Sequence, residues 1–127
     1  MTLPDGKGQL RAYGYSRDDF ITEVFERVPE VEKHFDLPYQ DDGVHIVFEA
    51  LARLIRGAVK KRDSEVLERA FGLVNEAIER DDADPEIANA AYISFLGPED
   101  ITVLRDWGVW QLASPELKRY IRQEVWW

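Results

Sequence analysis

Apolar residues recur along the chain at the three- and four-residue spacing of amphipathic helices. The first such stripe follows Ser16 and consists of Phe20, Ile21, Val24, Phe25 and Val28. Asp18 and Asp19 lie just before this stripe, where carboxylates suit the positive end of a helix dipole and Ser16 suits the cap position. The pattern predicts a helix that begins just after Ser16.

Two longer stretches carry the same periodicity and are predicted to form an antiparallel hairpin. The stretch "VHIVFEALARLIRGAVKKR" has an apolar face of Val44, Val47, Phe48, Leu51, Ile55, Ala58 and Val59. Asp63 is predicted to cap the next stretch, "SEVLERAFGLVNEAIER", whose apolar face is Val66, Leu67, Ala70, Phe71, Val74, Ala77 and Ile78. Because only a residue or two separates the helices, they must turn back on each other.

Proline and cap signals predict the remaining helices. Pro29 suits the first position of a short second helix, and Ser114-Pro115 suits the start of the last one. Asp84 and Pro85 suit the start of a helix that Gly97 would stop. The residues of this helix are apolar nearly all the way round, so we expect the helix from Pro85 to Leu96 to lie buried at the centre.

No stretch shows sustained strand alternation, so the sequence predicts an all-α fold. We expect a compact bundle or a short helical-repeat stack of antiparallel helix hairpins, with five to seven helices. A single domain is predicted over residues 16–127, after an N-terminal extension at residues 1–15. Tyr13 and Tyr15 of this extension are candidates either for docking on the domain or for contact with a partner.

The charge of the chain narrows the class of partner. Its 25 acidic and 16 basic residues give a net charge of −9, which repels nucleic acid and anionic lipid and attracts basic proteins. The alternative is that the charge serves solubility alone. There is no cysteine, no apolar run long enough for a membrane span and no secretory signal. These features predict a cytoplasmic protein that binds neither nucleic acid nor membrane.

No recognised catalytic or cofactor motif stands in the chain. His34 and His45 are the only histidines and lack metal-ligand spacing, and the acidic run "ERDDADPE" fails the calcium-loop pattern. There is no glycine-rich phosphate loop and no nucleophile motif. We therefore expect no metal, no cofactor and no enzymatic activity, with a carboxylate- and metal-dependent enzyme as the minor alternative.

The C-terminal end supplies the candidate binding residues. On a helical wheel Trp127 lies beside Tyr120 on the buried face, whereas Trp126 lies with two arginines on the other face. Tryptophan next to arginine is typical of interface hot spots. The predicted partner-binding residues are Trp126, Arg122, Arg119, Trp107 and Trp110. Two alternatives are a stacking contact of Arg122 on Trp126 and a frayed end.

The order of segments resembles a small uncharacterised bacterial family of all-helical domains. The resemblance is carried by "FITEVFERVPEVEKHF", "VFEALARLIRGAVKKRDSEVLERAFGLVNEAI" and "AYISFLGPED", and extends from about Ser16 to the C-terminus. Proteins of this kind are loosely similar to toxin-immunity proteins. The resemblance implies a non-enzymatic module that binds and inhibits a basic toxin or effector, and it assigns no functional residues. The alternative is a homo-oligomeric structural or scaffold protein, in which a homodimer would bury Trp126.

Overall fold

Helices make up nearly all of the described chain. The computed structural model describes residues 13–34, 43–96, 105 and 108–119. Its α-helices are α1 (Arg17–Arg27), α2 (Gly43–Lys61), α3 (Ser64–Glu79) and α4 (Pro85–Ser94), and 3-10 helices cover Pro29–His34 and Val109–Leu112. Residues 115–119 are also helical, and no strand occurs in the described ranges beyond an isolated bridge. The all-α prediction is therefore confirmed.

The helices begin at the caps that the sequence predicts. Ser16 and Asp19 form a reciprocal capping box, in which each side chain accepts a hydrogen bond from the other residue's backbone N–H. The Asp63 carboxylate accepts from the N–H of Val66 at 3.3 Å. The Asp84 carboxylate likewise caps α4, with Pro85 at the first position. The predicted stop at Gly97 lies outside the described residues.

The central helix is α2 rather than α4. It packs against α1, α3, α4 and the first 3-10 helix, and eleven of its residues are buried. The prediction that the helix from Pro85 to Leu96 lies at the centre is wrong, because Ile93 of α4 is 61% exposed and Tyr92 is only half-buried. A ten-residue helix rich in alanine offers too little apolar surface for other helices to pack against it on every side.

Four phenylalanines join the helices at the core. Phe48 of α2 stacks on Phe20 of α1, with ring centroids 5.0 Å apart. Its other neighbour is Phe95, which follows α4 and meets it edge to face at 5.3 Å. Phe71 of α3 lies 6.4 Å from Phe95 in turn. Each of the four α-helices thus contributes, directly or through the residue that follows it, to one aromatic cluster.

Two arginines fasten the C-terminal end of α1 to α3. Arg27 pairs with Glu76 of α3 through two hydrogen bonds of 2.7 and 3.1 Å. Arg69 of α3 makes a bidentate pair with Glu30 and also donates to the backbone carbonyl of Arg27. The hydrogen bonds from Arg69 lower the pKa of Glu30 from its ordinary 4.5 to about 2. These pairs fix the angle at which the chain leaves α1.

Tyr15 connects the start of the domain to the turn after α3 through backbone and side-chain contacts. Its N–H donates to the carbonyl of Asp82 at 3.0 Å, and its own carbonyl accepts from the N–H of Asp84 at 2.8 Å. Its ring is buried under the guanidinium of Arg80, and its hydroxyl donates to Glu23. Burial and the Glu23 carboxylate both raise the pKa of Tyr15. The last residue of the predicted extension is therefore part of the core.

The Asn75 amide ties residues 112–114 to α3. The Asn75 side chain donates to the carbonyl of Leu112 at 2.8 Å and accepts from the N–H of Ser114 at 2.9 Å. Ser114 also caps the helical residues that follow, as predicted, because its hydroxyl accepts from the N–H of Leu117. Leu117 is fully buried and completes the core on this side.

We expect Glu30→Gln to lower the free energy of unfolding at neutral pH by about 1 kcal/mol, as is typical of a partly exposed ion pair. The carboxylate is about one-third exposed, at 34%. Because its folded-state pKa is lower than its unfolded-state value, it stabilises the fold above about pH 4.5, and this contribution is lost as the pH falls toward 2. Urea denaturation of both proteins across this pH range measures the effect.

Glu32→Gln is the matched control, since Glu32 is exposed on the same 3-10 helix. It should leave stability unchanged within about 0.5 kcal/mol. A Glu30→Gln protein that loses as much stability below pH 2 as at neutral pH would contradict the electrostatic explanation.

We expect Gly72→Ala to raise the free energy of unfolding by about 0.5–1 kcal/mol, because glycine within a helix costs that much relative to alanine. A methyl group at Gly72 meets no atom of a neighbouring segment within 4 Å. Gly14→Ala is the contrasting variant, since its methyl group would lie 2.5 Å from an Asp82 carboxylate oxygen and 3.2 Å from the Asp82 Cβ. It must therefore displace the side chain that pairs with Arg80, and should destabilise the fold. Thermal melts of both variants check the opposite signs, and equal signs would contradict the packing argument.

Candidate partner-binding surface

Exposed carboxylates follow the outer surface of α3 and the turn after it, and one more lies near the end of α1. We call this surface the acidic face, and it consists of Glu26, Glu65, Glu68, Glu76, Glu79, Asp81 and Asp82. The four glutamates of α3 fall within an arc of about 80° on a helical wheel, so they form one stripe along the whole helix. The Arg27–Glu76 pair places α1 directly beside this stripe.

The arginines beside these carboxylates are all engaged by acidic partners. Arg27 and Arg69 bind Glu76 and Glu30, and Arg80 pairs with Asp82 at 2.8 Å. Five members of the acidic face make no ion pair with any residue that the structure describes: Glu26, Glu65, Glu68, Glu79 and Asp81. The acidic face therefore keeps a strong negative potential after its internal pairs are formed.

The polar strip of α2 carries mostly basic residues. It carries Arg53, Arg56, Lys60 and Lys61, and Glu49 is the one carboxylate of this helix. In contrast, α3 carries four glutamates and one arginine. Positive and negative charges are thus segregated onto separate helical surfaces rather than mixed.

The end of α3 is unfavourable for helix stability. Its last turn contains Glu76 and Glu79 and no basic residue. Carboxylates at a helix C-terminus oppose the macrodipole, whereas lysine or arginine there would contribute about 0.3–1 kcal/mol. By comparison, α1 ends with Arg27 and α2 with Lys60 and Lys61, as the dipole prefers.

An apolar groove opens beside this end of α3, between its last turn and α4. Its volume is about 360 Å³. The apolar lining consists of Ala77, Ile78, Ala83, Pro85, Ile87, Ala88 and Tyr92. Asp81 and Asp82 belong to the turn that joins Arg80 to Ala83, two residues that line the groove. The groove is therefore continuous with the acidic face.

Two of the five predicted partner-binding residues lie in the described chain. Trp110 is half-buried against the core, and the Lys118 ammonium lies 5.8 Å from its ring centroid. Arg119 is exposed and pairs with Glu116 one turn earlier. Asn75 holds this segment in place. The other three, Trp107, Arg122 and Trp126, lie outside the described residues.

A serine, a histidine and a glutamate meet between α2 and α4. His45 contacts the Ser94 hydroxyl at 2.8 Å and the Glu86 carboxylate at 2.7 Å through its two ring nitrogens. The hydrogen bond from His45 lowers the pKa of Glu86. Ser94 ends α4, where backbone carbonyls rather than N–H groups are exposed, which is the opposite of what an oxyanion requires. The three side chains form a polar clamp between the helices.

Within the described ranges, no three histidine, aspartate or glutamate side chains are close enough together to hold a metal ion. None of the helices in this part of the chain has both the length and the apolar character of a membrane span.

The sequence already contained the signal for the α3 stripe. Glutamates at positions 65, 68, 76 and 79 repeat at helical spacing opposite the apolar face, and Gly72 continues the same line. The groove had no such signal, because its lining residues come from two helices and the turn between them. The sequence signal for Asn75 was weak, because it consisted only of an amide at the edge of the apolar face of α3.

Family comparison adds an independent finding to this geometry. Residues 21–126 match the model of a domain of unknown function, DUF7674. No curated protein and no solved structure shows significant similarity to the chain. The match confirms the predicted resemblance to an uncharacterised small domain family and does not bear on the likeness to toxin-immunity proteins. Because the matched region covers most of the sequence, the chain belongs to the DUF7674 family.

Proposed function

We propose that the protein is a non-enzymatic protein-binding module, an immunity-type inhibitor whose acidic face binds a basic toxin or effector protein. The observation that carries this proposal is the segregation of charge. Five carboxylates without an ion pair in the described chain share one face, while the basic residues of α2 lie on another strip. Such a field attracts a positively charged protein and favours one orientation of approach.

The composition of α3 supports a role beyond stability. Glu76 and Glu79 oppose the dipole of α3, and Gly72 interrupts its exposed face with a poor helix former. Glu76 is held by its pair with Arg27, whereas Glu79 forms no ion pair in the described chain and a methyl group at Gly72 would meet no neighbouring atom within 4 Å, so positions 72 and 79 could carry more stabilising residues. Residues that lower stability on an exposed surface are expected where that surface binds something.

Inhibition in this proposal is steric. The acidic face would cover a basic functional surface of the toxin, so the inhibitor needs no catalytic group of its own. Electrostatic attraction mainly raises the association rate, and its effect falls as salt concentration rises. Protection and salt-sensitive binding should therefore depend on the same carboxylates.

We expect the double variant Glu68→Lys/Glu79→Lys to weaken partner binding by about tenfold or more and to abolish protection from the toxin. Neither carboxylate forms an ion pair in the described chain, so the fold should survive. Lysine at position 79 should even raise stability by about 0.3–1 kcal/mol through the helix dipole. The measurement uses a basic protein encoded beside the gene, with growth rescue on co-expression and calorimetric titration across a salt series.

Glu49→Lys is the control, because it makes one of the same charge changes at an exposed position on α2. This variant should retain rescue and most of the affinity. A double variant that rescues growth as well as the wild type would contradict the proposal, as would the absence of binding to any basic neighbour-encoded protein. A loss of binding accompanied by unfolding, seen by circular dichroism, would instead contradict the expected stability of the variant.

A further inference from the structure

We propose that the groove between α3 and α4 is the anchor site for an apolar side chain of the basic partner, flanked in the partner by lysine or arginine. This inference rests on the proposed function and names the feature of the partner that gives specificity. Long-range charge attracts any basic protein, whereas a shaped apolar recess selects one segment of it.

The groove has the size and chemistry of an anchor pocket. Its volume of about 360 Å³ exceeds that of one large side chain. Ala77 and Ile87 at its base are buried, while Ala88 and Tyr92 on the α4 side are only half-buried. This half-covered surface would lose further contact with water when a partner side chain enters, which is the source of its binding energy.

The charged groups that line the groove, Arg80 and Asp84, are already engaged within the protein. Arg80 pairs with Asp82 and lies over the Tyr15 ring. Asp84 caps α4 and pairs with Arg17. With these charges engaged, the groove favours an apolar group over a charged small molecule.

The charge around the groove identifies its occupant. Glu79 and Asp81 make no ion pair in the described chain and lie in the segment that leads from α3 into the groove. A second copy of this acidic chain would bring like charges together at this edge, which disfavours self-association through it. A basic segment with one central apolar residue complements both the apolar groove and the carboxylates of Glu79 and Asp81 beside it.

The test uses two synthetic peptides, Lys-Lys-Ser-Leu-Ser-Lys-Lys and the same peptide with serine in place of leucine. We expect the leucine peptide to bind about tenfold more tightly at low ionic strength, from burial of one aliphatic side chain. Amide chemical shifts should move at Ala83, Ala88 and Tyr92 for the leucine peptide alone, as followed by two-dimensional NMR.

Two variants separate the groove from the charge. Ala88→Glu places a carboxylate inside the groove, so it blocks the apolar anchor while making the protein more attractive to a basic peptide. Ile93→Glu adds the same charge to the same helix at an exposed position that does not line the groove. We expect Ala88→Glu to remove the tenfold preference for leucine and Ile93→Glu to preserve it.

The outcomes distinguish this inference from the proposed function. Equal affinity for the two peptides, with both weakened by Glu68→Lys/Glu79→Lys, would overturn the anchor and leave the acidic face as a binding surface. An undiminished leucine preference in Ala88→Glu would also overturn the anchor. Failure of both peptides to bind would overturn the anchor and count against the proposed function as well.

Discussion

The contact between Phe48 and its aromatic neighbours is the interaction on which the arrangement of helices depends. Phe48 belongs to the central helix and touches Phe20 of α1 on one side and Phe95 after α4 on the other. Phe71 brings α3 to the same cluster. Because aromatic rings are large and pack in few geometries, this cluster fixes where each outer helix crosses α2. The acidic face and the groove are consequences of those crossings.

The elements that could be predicted from sequence are those with local causes. A helix start is decided by a cap and the first turn, so the starts at Ser16, Asp63, Asp84 and Ser114 could be predicted within one residue. The hairpin of α2 and α3 followed from the short connection. The all-α class followed from the absence of strand periodicity. None of these conclusions required knowledge of distant contacts.

Features that depend on tertiary contacts could not be predicted in this way. An apolar pattern on all sides of α4 suggested a central helix, yet the pattern does not say whether neighbours exist on every side. Ile93 is exposed because α2 covers only one side of a short helix. The polar clamp of His45, Glu86 and Ser94 joins residues more than 40 positions apart, so no local sequence motif predicts it. For the site, the glutamate spacing on α3 was visible, but its pairing with α1 through Arg27 was not.

Stability is unevenly distributed over the surface. At the junction of α1 and α3, Arg69 makes three hydrogen bonds to two residues and strongly favours the charged form of Glu30. A few turns away, α3 ends with two glutamates against its own dipole. The ion pairs at the junction, one of them made by Glu76 itself, hold α3 against α1, so the helix can be firmly attached while Glu79 on its outer face opposes its own dipole.

The separation of α2's basic strip from the acidic face has a consequence for motion in solution. A molecule with regions of opposite sign has an electric dipole, and a charged object nearby exerts a torque on it before any atoms touch. The torque becomes appreciable within about one Debye length, roughly 8 Å at physiological ionic strength. As the protein approaches a positively charged surface, it would then rotate so that the acidic face turns toward that surface. The strip with Arg56 and Lys60 would turn away from it. For a basic partner of the kind proposed, the productive fraction of collisions would then depend on rotational diffusion in this field as well as on contact geometry.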